Sequence, residues 1–306
     1  MTAAARAAAA VCLAWLAVCA ACFALFRLTP GDPAAIYADR AGVAGAQITA
    51  ELRAAWGLDH PPATQFADWL LRALGGDAGL SFEDRRPIAD DFARRLPWSA
   101  AVGAGGLALG VVLAVALGFA AALRPGGPAD WASRALAVMA QALPAFAVGL
   151  VVLWVVAVEA RLIRPLTAQG GDRLVLPILL VALFSAGSLA RVVRAAFAEV
   201  RAAQWFRTAL AKGLSARAAL WSHGARHMTL SLIASLVPEA AWVVGGTAVA
   251  EIVFGVPGLS ERVVAAVAAR DYPVLQAYAA LVAALMLTVR LAARLTIRRL
   301  DPRPAA

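Results

Sequence analysis

Lysine is nearly absent from this chain. Of 28 basic residues 27 are arginine, and the single lysine, Lys212, is followed by Gly213. A phosphate-cradling loop needs a glycine-rich turn ending in Lys and then Ser or Thr, so the chain carries no nucleotide-hydrolysing loop of that kind. Charge is scarce altogether: 15% of residues are charged against 62% hydrophobic, and the mean hydropathy is +0.75. That is too apolar for a water-soluble domain, which disfavours a soluble enzyme and points to a chain that crosses a bilayer several times. Cysteine is sparse too. Cys12, Cys19 and Cys22 share the first apolar stretch at a spacing that fits no metal-ligand pattern, and they read as small packing residues. The net charge of +9 comes with no aromatic and basic recognition module, so it argues for membrane topology rather than nucleic acid.

What is present is a series of apolar runs about 20 residues long, the length that crosses a hydrocarbon core as a helix. Six are expected, at about 8–27, 98–123, 134–158, 173–192, 228–250 and 275–296, which makes the fold class all-α and polytopic. The first run, preceded by Arg6 and rich in small residues, equally suits a cleaved signal peptide. Gly106 and Gly110 in the second span, and Gly245 and Gly246 in the fifth, are placed to let helices approach closely. With the N-terminus inside, the inner segments hold fifteen basic residues, Arg303 among them, against three acids. The short outer loops hold five: Arg161, Arg164, Arg173, Arg262 and Arg270. Both termini are therefore expected on the cytoplasmic side.

Residues 28–97 differ in kind. They mix acidic and basic residues with Pro and Gly turns, and show weak helical patterns at 47–56 and 64–73 with aromatic anchors Trp56, Phe66 and Trp69. They read as a small folded cap, with Pro30-Gly31-Asp32-Pro33 as a turn on leaving the membrane.

Between the fourth and fifth spans, residues 199–227 read EVRAAQWFRTALAKGLSARAALWSHGARH. From about 195 to 211, Val200, Ala203, Phe206 and Leu210 recur at three- and four-residue steps, so an amphipathic helix with Arg201, Arg207 and Lys212 exposed is expected. Gly213 suits the left-handed end of that helix, and Ser215 suits the cap of a second one starting at Ala216. On chemistry alone this helix pair is either a basic loop held at lipid headgroups or a docking surface.

Several motifs bear on that choice. Glu199, then Arg207-Thr208-Ala209-Leu210-Ala211-Lys212-Gly213-Leu214, then His223 and Arg226, follow one another in order. Downstream come Gly245-Gly246, Glu251, Phe254, Pro257-Gly258-Leu259 and Arg270-Asp271-Tyr272-Pro273; upstream stand Pro30-Gly31-Asp32-Pro33, Gly57-Leu58-Asp59 and Gly76-Asp77-Ala78-Gly79-Leu80-Ser81. In these features, over almost its whole length, the chain resembles the permease subunits of ABC importers of the dipeptide, oligopeptide and nickel branch.

The resemblance implies an anchor helix (1–27), an extracytoplasmic cap (28–97), a permease core (98–300) with a cytoplasmic coupling loop (191–227), and a tail (301–306). It implies that Glu199, Phe206, Arg207, Thr208, Ala209, Ala211, Lys212, Gly213, Leu214 and His223 face an ATPase subunit. Glu251, Phe254, Pro257, Gly258, Arg270 and Asp271 would belong to a gate region. It further implies partners: a second homologous permease, two ATPase subunits that bind ATP and Mg, an extracytoplasmic solute-binding protein, and membrane lipid. No cofactor is implied for this chain, and the cargo would be peptides, nickel or similar small solutes moved by alternating access. Two departures stand out: Gln204-Trp205 where the family usually has Asp-Tyr, and Arg226-His227 with Ser231 where it usually has Arg-Asn and a proline.

Glu239, after Pro238 near the middle of the fifth span, is the acid that is costly at its depth. It either faces a wet pathway, where it would favour a cationic substrate, or forms a hydrogen-bonded helix contact. Arg270 and Asp271 read, apart from the resemblance, as a local ion pair. An ion-gradient-driven transporter remains the alternative. A membrane-embedded enzyme is disfavoured, because no nucleophile, base and orienting group cluster within the spans.

Overall fold

A backbone that must satisfy its own hydrogen bonds in an apolar surrounding has the helix as its natural solution, and these Ala-, Leu- and Val-rich runs favour it by propensity. The computed structural model describes residues 3–43, 45–160 and 172–301, and every regular element among them is a helix. Arg161, Arg164 and Arg303 of the charge count, and residues 302–306 of the tail, lie outside the described residues. In chain order the helices are α1 (Ala3–Leu28), α2 (Pro33–Arg40), α3 (Ala46–Ala55), α4 (Pro62–Leu74), α5 (Ile88–Leu123), α6 (Pro128–Ala142) and α7 (Ala145–Leu153). Then come α8 (Asp172–Ala202), α9 (Gln204–Ala211), α10 (Ala216–Ala219), α11 (Ala225–Phe254), α12 (Leu259–Ala269) and α13 (Tyr272–Leu300). A wider π turn extends α7 over Trp154–Glu159, and another over Leu220–Gly224 joins α10 to α11 without a break.

Five helical stretches are long and apolar enough to cross a membrane. The third expected span, 134–158, is not one straight helix: α6 and α7 meet at a bend of 105°, and together they make the sixth crossing only if the bent pair is a single span. Pro144 causes the break. Its ring disfavours helical geometry in the residue before it, and Leu143 is extended, with ψ 133°. The fifth span is longer than expected, since the helix runs from Ala216 to Phe254 and passes through Pro238 unbroken.

The chain divides into two compact units, Met1–Pro97 with Gly258–Leu287, and Trp98–Pro257 with Thr288–Ala306. In the first, the core joins Phe82, Ile88 and Phe92 to Leu259, Ala266, Tyr272 and Val274. The aromatic anchors of 28–97 do pack: Trp56 stacks on Phe82 at 4.1 Å and Phe66 on Trp69 at 5.8 Å. Residues 30–33 are more than a turn. Asp32 caps α2 by accepting a hydrogen bond from Ala34 N at 3.0 Å, and Pro33 occupies the first helical position, where its missing N–H costs nothing.

In the second unit α5 lies against α8 through glycines on one face. A Cβ at Gly106 would sit 2.6 Å from Val181 Cβ, at Gly110 2.8 Å from Ser185 Cβ, and at Gly118 2.7 Å from Val193 Cγ1. Across α8, Gly187 backs onto α6, where a Cβ would lie 2.7 Å from Leu136 O. The close approach expected at Gly245 and Gly246 is not made among the described residues: a Cβ at Gly245 meets nothing within 4 Å, and at Gly246 only Trp242 of the same helix. Gly106→Leu is therefore expected to lower stability by about 1–3 kcal/mol through overpacking. Gly245→Leu is expected to leave it unchanged. Thermal unfolding of the purified chain in detergent checks both.

Candidate functional site

The segment 199–227 is a helix, turn and helix, though its boundaries differ from the sequence pattern. The expected helix over 195–211 is broken at Ala203, which is extended with ψ 141°, so α8 ends at Ala202 and α9 starts afresh at Gln204. Phe206 and Ala209 of α9 bury themselves against Phe197, Val200, Ala219 and Leu220, in a cluster that also takes in Ala114 and Ala122 of α5. The opposite face carries Trp205, Arg207, Thr208, Leu210, Ala211 and Lys212, all exposed. The sequence pattern places Leu210 on the apolar side, but the fresh start at Gln204 gives that side to Phe206 and Ala209 and leaves Leu210 exposed.

The turn forms as its residues dictate. Gly213 has φ +91°, its N–H bonds to Leu210 O at 2.9 Å, and Leu214 N bonds to Ala209 O at 3.2 Å, which closes α9. Ser215 Oγ accepts from Ala218 N at 3.2 Å and caps α10. A recess of about 740 Å³ runs between α5 and α10, walled by Val111, Val115, Phe119 and Trp221, with Ser215 and Arg217 also in its lining. Arg207, Lys212 and Arg217 make no ion pair among the described residues, so three cations stand open on this surface.

Arg201 and Arg226 were not recognisable as structural from the sequence. Arg201 is not an open cation: it donates to Ala122 O at 2.8 Å and Leu123 O at 3.4 Å, at the C-terminal end of α5. Arg226 Nε donates to Leu300 O at 3.1 Å, at the end of α13. Both place a guanidinium where the last carbonyls of a helix lack partners and the helix dipole is negative. His227 Nε2 meets Glu199 Oε2 at 2.8 Å, tying α11 to α8, and His223 lies edge-on to Trp205 at 6.0 Å. The signal for the two arginines was their position a short way from helix ends, but which ends they cap depends on packing.

Glu239 is buried, and Ser185 and Ser188 of α8 stand near its carboxyl group. Ser-x-x-Ser at one helical turn was visible in the sequence, but only the pairing of α8 with α11 joins it to the acid. Glu251 and Phe254 are each 1% exposed near the end of α11. Gly255, with φ +65°, closes that helix ahead of Pro257.

In the first unit Arg270 and Asp271 do not pair with one another. Arg270 donates to Pro30 O. Asp271, fully buried, accepts from Ser81 Oγ at 2.6 Å, Phe82 N at 3.0 Å and Arg262 Nη2 at 3.2 Å. Arg270 sits in the left-handed region with φ +54°, closing α12, so the two adjacent side chains diverge. Arg262 is the hub: besides Asp271 it reaches Ser81 Oγ at 2.9 Å, Asp91 Oδ2 at 3.2 Å and Glu83 Oε2 at 3.4 Å. Gly258, in the same unit, accepts from Arg95 Nη1 at 3.3 Å. Burial raises the Asp84 carboxyl, but hydrogen bonds involving Ser81 and the Arg86 amide, with the charges of Arg262 and Arg86, outweigh it and hold the group below the usual carboxylate range. Its contribution is full at neutral pH and fades only as the pH falls through that lowered value.

Against known proteins, residues 114–305 match the family described as binding-protein-dependent transport system inner membrane component. The glutathione transport system permease protein GsiC of Escherichia coli strain K12 is 34% identical over 250 residues, 82% of this chain and 81% of that protein. The same permease of Shigella flexneri serotype 5b is also 34% identical over 250 residues, with the same coverage. A protein of Sinorhizobium fredii called "Probable peptide ABC transporter permease protein" is 30% identical over 290 residues, 91% of each chain.

Truncating Arg262 to Ala would leave Asp271 buried without its cation, and a loss of about 3–5 kcal/mol is expected. Glu261→Gln, which removes only an exposed partner of Arg95, is expected to cost under about 1 kcal/mol. Denaturation of the two purified variants in detergent checks the contrast.

Proposed function

This chain belongs to the family of binding-protein-dependent transport system inner membrane components, and from that premise we propose that it is the permease subunit of an ATP-driven importer for peptides or glutathione-like solutes. It is a multi-pass membrane protein and a transport subunit rather than an enzyme. The observation that carries the proposal is the segment 204–219: a helix and turn anchored on one side by Phe206 and Ala209, with Trp205, Arg207, Leu210 and Lys212 left open on the other. An apolar and cationic face on so firmly held a helix suits a partner better than a lipid surface alone.

In this reading two ATPase subunits bind ATP and Mg, and one of them receives α9 in a cleft. Their closure pushes α9. The push passes through the Arg201 cap to the end of α5, and through α10 and its π turn directly into α11, so the spans switch between outward- and inward-facing states. Residues 28–97 form the extracytoplasmic cap that meets the solute-binding protein, and the excess of arginine supports both termini lying inside. A second homologous permease completes the pathway, and the open Gly245 on α11 supports a close helix contact with it. Glu239, with Ser185 and Ser188, would favour a cationic group such as a peptide amino terminus. The named relatives support peptide-type cargo over nickel.

Gly213→Val tests the coupling. A Cβ there meets nothing within 4 Å, so its cost is backbone strain at φ +91° and added bulk on the docking face. The expected outcome is an assembled complex whose ATP hydrolysis persists while uptake falls at least about tenfold, the effect of about 1.4 kcal/mol on the coupled step. Unchanged uptake would refute the role of the turn. For assembly, Gly245→Leu is expected to abolish co-purification of the second permease from the native membrane. Recovery of the native chain alone as a homo-oligomer, without ATPase subunits, would favour a gradient-driven transporter instead.

A further inference from the structure

In the first unit a cavity of about 110 Å³ is lined by Phe23 and Arg27 of α1, Gln65 and Trp69 of α4, and Tyr272 and Gln276 of α13, among others. Three buried polar atoms of that lining, Trp69 Nε1, Tyr272 Oη and Gln276 Oε1, have no hydrogen-bond partner among the described residues. Their side chains are well enclosed, since Trp69 is 8%, Tyr272 6% and Gln276 3% exposed. A stranded buried polar atom typically costs about 1–3 kcal/mol, so three around one void call for an occupant. The void is also several times larger than the roughly 10–15 Å³ that one water molecule needs.

The donor pattern says what kind of occupant. Trp69 Nε1 can only donate, and the Tyr272 hydroxyl can donate beside it. Gln276 Nε2 donates to Cys19 O at 2.8 Å. Because that carbonyl can only accept, the amide orientation is fixed and Gln276 Oε1 is left as an acceptor. Arg27 brings positive charge to the same wall: its guanidinium lies 4.0 Å over the Phe23 ring, and Nε and Nη2 bond to Gln65 Oε1 at 3.0 and 2.5 Å. Two neutral donors beside a guanidinium fit an oxyanion. Gln276 Oε1, with the Asp68 carboxylate also in the lining, fits an N–H or ammonium group on the same molecule.

We propose that this cavity binds a small free carboxylate carrying an adjacent hydrogen-bond donor, the chemistry of an amino acid or of the end of a short peptide. The carboxylate takes the protons of Trp69 and Tyr272 and faces Arg27, and its donor group meets Gln276 Oε1. The inference does not rest on the importer reading, because such a site binds its ligand whether or not transport is ATP-driven.

Equilibrium dialysis of the full chain, purified in a maltoside detergent, against radiolabelled glycine and glycylglycine tests it. Saturable binding of at least one of them is expected, together with no binding of glycine methyl ester, which lacks the carboxylate. Trp69→Phe and Tyr272→Phe, which keep an aromatic ring and remove one donor each, are each expected to weaken binding about tenfold. Circular dichroism and a single size-exclusion peak would show that the variants remain folded. Absence of saturable binding would leave ordered water as the occupant and overturn the proposal. So would equal binding of the methyl ester, undiminished binding by the double variant, or a tightly held phospholipid that neither amino acid nor dipeptide displaces.

Discussion

The close backbone contact between α5 and α8 is the constraint on which the second unit depends. Between helices in lipid the hydrophobic effect supplies little drive, so association comes from van der Waals contact, which falls off within an ångström of optimal spacing. Gly106, Gly110 and Gly118 remove the side chains that would hold the two helices apart, and Val181, Ser185 and Val193 fill the space so released. That contact sets where Ser185 stands relative to Glu239. It also fixes the end of α5 where Arg201 can reach its carbonyls, and so determines how firmly the segment beyond α8 is held.

That segment is stiff for a structural reason. A free loop between two spans would absorb a force in its own backbone. Here the chain leaves α8, breaks for one residue at Ala203, and is anchored again by Phe206 and Ala209 before it turns at Gly213. The following helix does not stop before the next span but becomes it. Little slack separates the exposed face of α9 from the buried carboxylate of Glu239.

Five of the expected spans and the all-helical type were legible in the sequence because apolar length is a local property, and so were the turn at Gly213 and the cap at Ser215, which follow from the conformational preferences of single residues. The bend at Leu143 and Pro144 was also written there, but an apolar run on both sides of a proline reads as one span until the residue before the ring is considered. Partners were the hardest to read. Arg270 and Asp271 are adjacent and opposite in charge, yet Asp271 belongs with Arg262 and Ser81, nine residues back and 190 residues away in sequence. Likewise Arg201 looked like one more exposed cation of a basic helix. Only tertiary packing decides which guanidinium reaches a helix end and which stays in water.

The rarity of lysine has a practical side. Lys212 is exposed at the end of α9, and it is the single ε-amine in the chain. An acylating reagent selective for side-chain amines would therefore label one known atom beside the turn, without any engineered handle. The degree of labelling would act as a footprint of that face, full when it is open to solvent and reduced when something covers it, and it could be followed through a reaction cycle in the unmodified protein.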